Sequence, residues 1–231
     1  MKALFFDVDD TLYDQRQPFE RAFYKHYPDR TDIDTDKLFV LSRIYSDEVF
    51  LPSQRGEISM EEMYIYRIHH ALRDMGIAIS DEKALAFQYD YAGFQHHLIM
   101  SPVMKELFER LKKRDDLILG VITNGSADHQ MEKIKGLGID AYMDERNIII
   151  SGAMGCMKPD REIFDLAAER AGLPLAECYF IGDSVTNDIE GAHKAGWKTV
   201  WFNRRNHEEE GIPADDIFHK EEELADFLLT L

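Results

Sequence analysis

Four short clusters in this 231-residue chain carry side chains suited to phosphate or metal chemistry. The first is Asp7-Val8-Asp9-Asp10-Thr11, three carboxylates and a hydroxyl that end an apolar run starting at Ala3. Like charges this close repel, so a fold gains from gathering them only where a cation or a proton is shared. Asp7 and Asp9 are two apart and leave an extended segment on the same side. A solvated turn in an acidic protein would have the same composition. The second cluster, Thr123-Asn124-Gly125, joins a hydroxyl, an amide and a flexible backbone. These groups suit phosphate oxygens ahead of a helix N-terminus, and they are also ordinary turn chemistry. The third is Lys158, just before a helix opening around Pro159, although most lysines are simply solvated. The fourth runs from Gly182 and Asp183 to Asp188. Helix capping needs one of Asp183, Ser184 or Thr186 and leaves the second acid, Asp188, unexplained. Pooled, Asp7, Asp9, Asp183 and Asp188 supply hard oxygen ligands that suit Mg²⁺, with Lys158 to neutralise the remaining charge.

These groups must be positioned by the elements between them. Residues 3–6 form a dense apolar run without alternation or helical period, which fits a strand buried on both faces. From residue 117 onwards, apolar runs at 117–123, 147–151, 178–182 and 199–202 alternate with helical patterns at 127–135, 161–171 and 187–195. Such alternation predicts an α/β fold with a doubly wound, Rossmann-like parallel sheet. Every cluster then falls at the C-terminal end of a strand, the edge where such sheets bind ligands. Residues 14–94 read differently, with no convincing strand but amphipathic stretches at 36–49, 60–75 and 81–92. Ser59 and Glu62 form a capping box that starts the middle stretch. The expected organisation is a core of residues 1–13 and 95–231, with residues 14–94 inserted as a helical-bundle cap. The insert leaves directly after the acidic cluster, a position that suits a lid.

Composition narrows the function. Forty-four acids against 27 bases give a formal charge of −17, which disfavours polyphosphate backbones and makes a nucleic-acid partner unexpected. A small phosphorylated substrate would need a bound cation and well-aimed donors on such a surface. No apolar run approaches a membrane span, and the first strand begins too early for a signal peptide, so the cytoplasm is the expected compartment. Cys156 and Cys178 lack any CxxC spacing and read as reduced thiols. Either a monomer or a homodimer is compatible with this composition.

The four clusters, in this order, resemble the haloacid dehalogenase superfamily over nearly the whole chain: DxDxT at Asp7–Thr11, the Thr123 motif, the Lys158 motif and GDxxxxD at Gly182–Asp188. The helical insert after the first motif resembles that family's α-helical cap. The resemblance implies that Asp7 is a nucleophile forming an aspartyl-phosphate, and that Asp9 is the general acid and then the general base. It implies Mg²⁺ held by the Asp7 side chain, the Asp9 backbone carbonyl and Asp183, with Asp188 in support. Thr123, with Asn124 and Gly125, would bind phosphoryl oxygens, Lys158 would stabilise the developing charge, and Thr11 would brace the first loop. Asp10 receives no role and is expected at the surface. Dehalogenases of the superfamily lack an acid at the position of Asp9, so its presence favours phosphoryl chemistry. The cap lysines Lys25, Lys37 and Lys83 lack the apolar setting that a Schiff-base mechanism needs.

In the cap, Gly56-Glu57-Ile58-Ser59 followed by Arg67 resembles the group containing noncanonical pyrimidine 5′-nucleotidases and N-acylneuraminate-9-phosphatase. This implies a small phosphomonoester, with a nucleoside 5′-monophosphate the first expectation and a sugar or sialic-acid phosphate the alternative. Tyr13, Gln17, Arg55, Arg67 and His70 are candidates to face substrate, while Arg67 could instead tie two cap helices together. Tyr64, Tyr66 and His69 are expected to pack the cap interior. A phosphomutase shares the same core motifs, and a phosphate-responsive regulatory domain would also pair acids with a lysine.

Overall fold

The computed structural model describes residues 1–231, the Gln54 side chain excepted. Six strands form one parallel sheet: β1 (Lys2–Phe6), β2 (Leu117–Thr123), β3 (Ile148–Ile150), β4 (Cys178–Gly182), β5 (Lys198–Phe202) and β6 (Asp216–Phe218). Their spatial order is β3-β2-β1-β4-β5-β6. The connections run outward in opposite directions from β1 and β4, so a crevice opens between the ends of these two strands. Phe6 of β1 is in register with Val121 on one side and Ile181 on the other. The ends that carry Asp7, Thr123 and Asp183 therefore lie level. Strand β6 was not expected: it is three half-buried residues headed by an aspartate, too short and polar to read as a strand.

The chain divides into two compact units, Met1–Asp14 with Leu98–Leu231, and Gln15–His97. In the first, β1 has no polar face because both of its faces are covered. Leu4 and Phe6 pack into one cluster with Phe108, Val121, Ile181, Val200 and Leu224. Ala3 and Phe5 pack into the other with Ile122, Phe164, Phe180 and Trp197. Each buried aromatic or aliphatic side chain contributes roughly 1.5–3 kcal/mol to holding the sheet and its site rigid.

The second unit is all helical: α1 (Arg16–His26), α2 (Thr35–Gln54), α3 (Met60–Asp74) and α4 (Asp81–Gln95). Helix α1 lacked a start signal in the sequence because Gln15 at its N-terminus makes no side-chain capping bond. The Ser59–Glu62 capping box opens α3, with both reciprocal bonds present at 3.1 and 2.7 Å. The interior is built on Phe19, which meets Phe39, Phe87 and Tyr91 edge-on at 5.5, 5.1 and 5.5 Å. Tyr66 does not join that interior. It stays partly exposed, stacks on His70 at 4.1 Å and donates to Glu48 of α2 at 2.9 Å.

The remaining helices flank the sheet: α5 (Pro102–Leu111), α6 (Ala127–Leu137), α7 (Ser151–Met154), α8 (Arg161–Ala171), α9 (Gly191–Ala195) and α10 (Glu221–Thr230). The helix expected at 187–195 is split. Val185–Glu190 form a wide π-helical turn that leads into α9. Such turns are rare and are frequently found at functional sites; this one carries Asp188. Among the described residues, no helix is long and apolar enough to cross a membrane.

Candidate active site

The carboxylates of Asp7, Asp183 and Asp188 converge, each offering an oxygen within 4.8 Å of the others. Asp7 follows β1, and its N–H is fixed by the Ile181 carbonyl at 2.8 Å. Asp183 follows β4; Trp201 Nε1 donates to its carbonyl at 2.9 Å, and Thr11 Oγ1 lies 3.5 Å from its Oδ1. The π turn swings the Asp188 carboxylate back over Gly182, where an added Cβ would come within 2.3 Å of Oδ2. That oxygen also accepts the Ser184 N–H at 3.0 Å.

Lys158 closes the cluster. Its Nζ donates to Asp7 Oδ1 and to Asp188 Oδ1, each at 2.6 Å, and the side chain is 3% exposed. Asn124 sets the position of the lysine loop. Its Nδ2 donates to the Lys158 carbonyl at 2.8 Å while its Oδ1 accepts the Lys158 N–H at 2.9 Å. The Asn124 side chain is thus committed to that loop, which leaves the main chain for any ligand contact. Thr123 ends β2, almost fully buried. Gly125, with φ of 144°, folds against the Gln130 side chain.

Asp9 stands apart from the three converging acids. Lys133 Nζ donates to its two oxygens at 2.7 and 2.8 Å, Gln130 Nε2 donates to Oδ2 at 3.0 Å, and the Tyr13 hydroxyl donates to Oδ1. Lys133 and Gln130, both on α6, were not singled out in the sequence. Tyr13 belongs to the sheet unit and not to the helical insert. Asp10 corrects another expectation: it is 5% exposed rather than at the surface. Arg205 grips it with two bonds, Nε to Oδ2 at 2.8 Å and Nη2 to Oδ1 at 2.5 Å, and also reaches Asp14. Asp10 takes a left-handed φ of 59° in doing so, which a short polar side chain tolerates better than most. Arg67, in the helical unit, donates to Gln88 and lies 5.3 and 5.8 Å from the rings of Tyr64 and Tyr91. It is 8% exposed, and its contacts tie α3 to α4.

Electrostatics separate the acids. Burial pushes Asp7 up to about 7, with Asp188 and Asp9 adding to the rise and Lys158 opposing it. Burial also raises Asp183 well above the carboxylate range, helped by Asp10, Asp188 and Asp7. Asp9 behaves oppositely. Burial would raise it, but Lys133, Tyr13 and Gln130 outweigh that and hold it far below the usual range. Burial opposes the charge on Lys158, yet Asp188 and Asp7 keep it firmly an ammonium. One lysine against two buried acids and a half-buried one leaves an excess of negative charge. That donor set fits a hard divalent cation of the Mg²⁺ kind.

A buried carboxylate, a lysine across it and two further converging acids, all at the switch point of a parallel sheet, are groups that could carry out hydrolytic phosphoryl transfer. The profile of the haloacid dehalogenase-like hydrolases matches residues 1–196. The chain belongs to that family. The hydrolase is 28% identical to the N-acylneuraminate-9-phosphatase of Mus musculus over 218 residues, covering 88% of this chain and 83% of that protein. It is 30% identical to the glyceraldehyde 3-phosphate phosphatase of Methanopyrus kandleri over 223 residues, covering 94% and 90%. Among solved structures it superposes on the putative HAD-hydrolase YfnB from Bacillus subtilis, crystallised bound to magnesium. The TM-score is 0.72, with 25% identity and 98% of each chain covered.

Proposed function

We propose that this hydrolase is a Mg²⁺-dependent phosphatase that releases phosphate from a small phosphorylated metabolite through an aspartyl-phosphate on Asp7. It is a phosphoric monoester hydrolase by its family and its phosphatase-named relatives. The observation that carries the reading is the convergence of Asp7, Asp183 and Asp188 with Lys158 bridging two of them.

Asp7 attacks phosphorus in line, and the ester oxygen leaves as an alkoxide that takes a proton from Asp9. The Asp9 carboxylate then removes a proton from the water that hydrolyses the acyl phosphate, which returns Asp7 as a carboxylate. Lys158 and the β2 end, Thr123 with the main chain of Asn124 and Gly125, hold the phosphoryl oxygens as their charge develops. Asp7, Asp183 and the Asp9 carbonyl, with Asp188 in support, would hold Mg²⁺, which neutralises nucleophile and phosphate so that two anions can meet. In the free site Lys133, Tyr13 and Gln130 hold Asp9 as a carboxylate, the form that takes a proton from water, so the proton it hands to the leaving oxygen arrives with the phosphomonoester monoanion. Thr11 supports the loop through Asp183.

On the substrate, the cap pattern around Arg67 favours a nucleoside 5′-monophosphate, whereas the curated relatives are named for phosphorylated sugar derivatives and a triose phosphate. The test is a phosphate-release screen with Mg²⁺ over p-nitrophenyl phosphate, nucleoside 5′-monophosphates, sugar phosphates and sialic acid 9-phosphate. Turnover of at least one compound, abolished in a folded Asp7→Asn variant, is expected. No turnover of any of them, or retained activity in the variant, overturns the reading. Conversion through a bisphosphorylated intermediate without free phosphate would make the enzyme a mutase.

A further inference from the structure

Helix α6 presents two polar side chains on its inward face. Lys133 is 5% and Gln130 3% exposed, although they occupy the buried stripe shared with Ile134 and Leu137. Neither residue is explained by stability. A buried ion pair is about neutral against well-packed apolar residues of the same volume. Gln130 moreover leaves Oε1 buried without a partner among the described residues, an arrangement that an apolar side chain would avoid. What the two share is Asp9. Lys133 contacts both of its oxygens, and Gln130 contacts Oδ2 while its Nε2 also donates to the Asn124 carbonyl at 3.0 Å. Gly125, with its positive φ and no side chain, lies close against Gln130.

We propose that Lys133 and Gln130 are positioning residues of the reaction, which hold the Asp9 carboxyl on the leaving-group side and keep it off the metal ligands. The inference rests on Asp9 being the general acid. Three acids already converge within 4.8 Å, and Asp9 is only two residues from one of them. Released from α6, its carboxylate would be drawn onto any cation held there and lost as an acid. Lys133 thereby divides the labour between two aspartates that lie side by side in the sequence. Gln130 carries the same restraint to the Asn124 carbonyl, which links the orientation of the acid to the phosphate-binding end of β2.

The test exploits the leaving group. An alkoxide needs a proton as the P–O bond breaks, whereas p-nitrophenolate leaves without one. For Lys133→Met and Gln130→Leu, kcat/KM is measured with Mg²⁺ on the fastest alkyl monoester of the screen and on p-nitrophenyl phosphate, since it reports the steps through P–O cleavage. General acid catalysis is worth about 10²–10⁴-fold. Lys133→Met is expected to lose about 100-fold on the alkyl ester and about fivefold on the aryl ester, and Gln130→Leu to show the same bias to a smaller extent. Mg²⁺ binding by calorimetry should be retained. Asp9→Asn is the reference. If it discriminates between the esters and neither α6 variant does, the positioning role is overturned while the acid role stands. If Asp9→Asn itself loses equally on both, the acid role falls and the inference with it. Should Lys133→Met fail to fold, Gln130→Leu alone decides, because it removes no charge.

Discussion

Asp7 and Asp9 are the same residue two positions apart, and their surroundings alone give them opposite proton affinities. This has a consequence for metal-free protein. Folded Asp7 keeps its proton up to about 7, whereas the unfolded chain releases it near 3.8. The folded state therefore binds more protons between those values, and stability falls as pH rises through the window. Urea unfolding of protein treated with EDTA should give a lower midpoint at about pH 8 than at about pH 5. Mg²⁺ should restore the loss at the higher pH and do little at the lower. An EDTA-treated protein that gains stability over this range would remove the case for an uncompensated acid cluster. The convergence of Asp7, Asp183 and Asp188 was legible because each acid ends an apolar run that reads as a strand of one parallel sheet. The burial of Asp10 was not legible, because its partner, Arg205, lies 195 residues away along the chain. Sequence spacing carries no record of such a pairing.

At the scale of the element, β4 and the π turn after it form one device. The Gly182 position has no space for a side chain, since the Asp188 carboxylate occupies it. Gly182→Ala should displace Asp188, weaken Mg²⁺ binding and lower kcat by about 10²-fold, by analogy with the loss of one charge-stabilising group. Calorimetry and phosphate release would check this, and wild-type values in both would refute it. The strands and most helices were readable because apolar runs and helical periods report burial directly. The wide turn was not, because a π-helical turn has the composition of an ordinary helix start. Lys133 and Gln130 did leave a signal: they interrupt the inward stripe of α6 at helical spacing. A lysine and a glutamine on a buried face ask for a buried partner, and only the fold reveals which one.

At the scale of the whole molecule, the site draws on separate strand ends. Asp7 follows β1, Thr123 ends β2, Asp183 follows β4, and Lys158 precedes α8. A rigid sheet sets their distances, so damage far along the chain should reach the chemistry. Breaking a buried ion pair by removing one partner costs about 3–5 kcal/mol. Arg205→Met removes the guanidinium from Asp10 and Asp14, and should lower thermal stability by up to a cost of that order. It should also reduce phosphatase activity, although Arg205 belongs to none of the four motifs. Unchanged unfolding and unchanged kinetics would refute this.

That ion pair also bears on where the working enzyme ends. The family profile stops at residue 196. Trp201, which holds the Asp183 carbonyl, and Arg205, which holds Asp10, both lie beyond it. The segment that kinship identifies is thus shorter than the segment that must fold cooperatively. A fragment cut at the edge of the recognisable motif would keep every side chain proposed for the reaction and lose the grip on two of the loops that carry them.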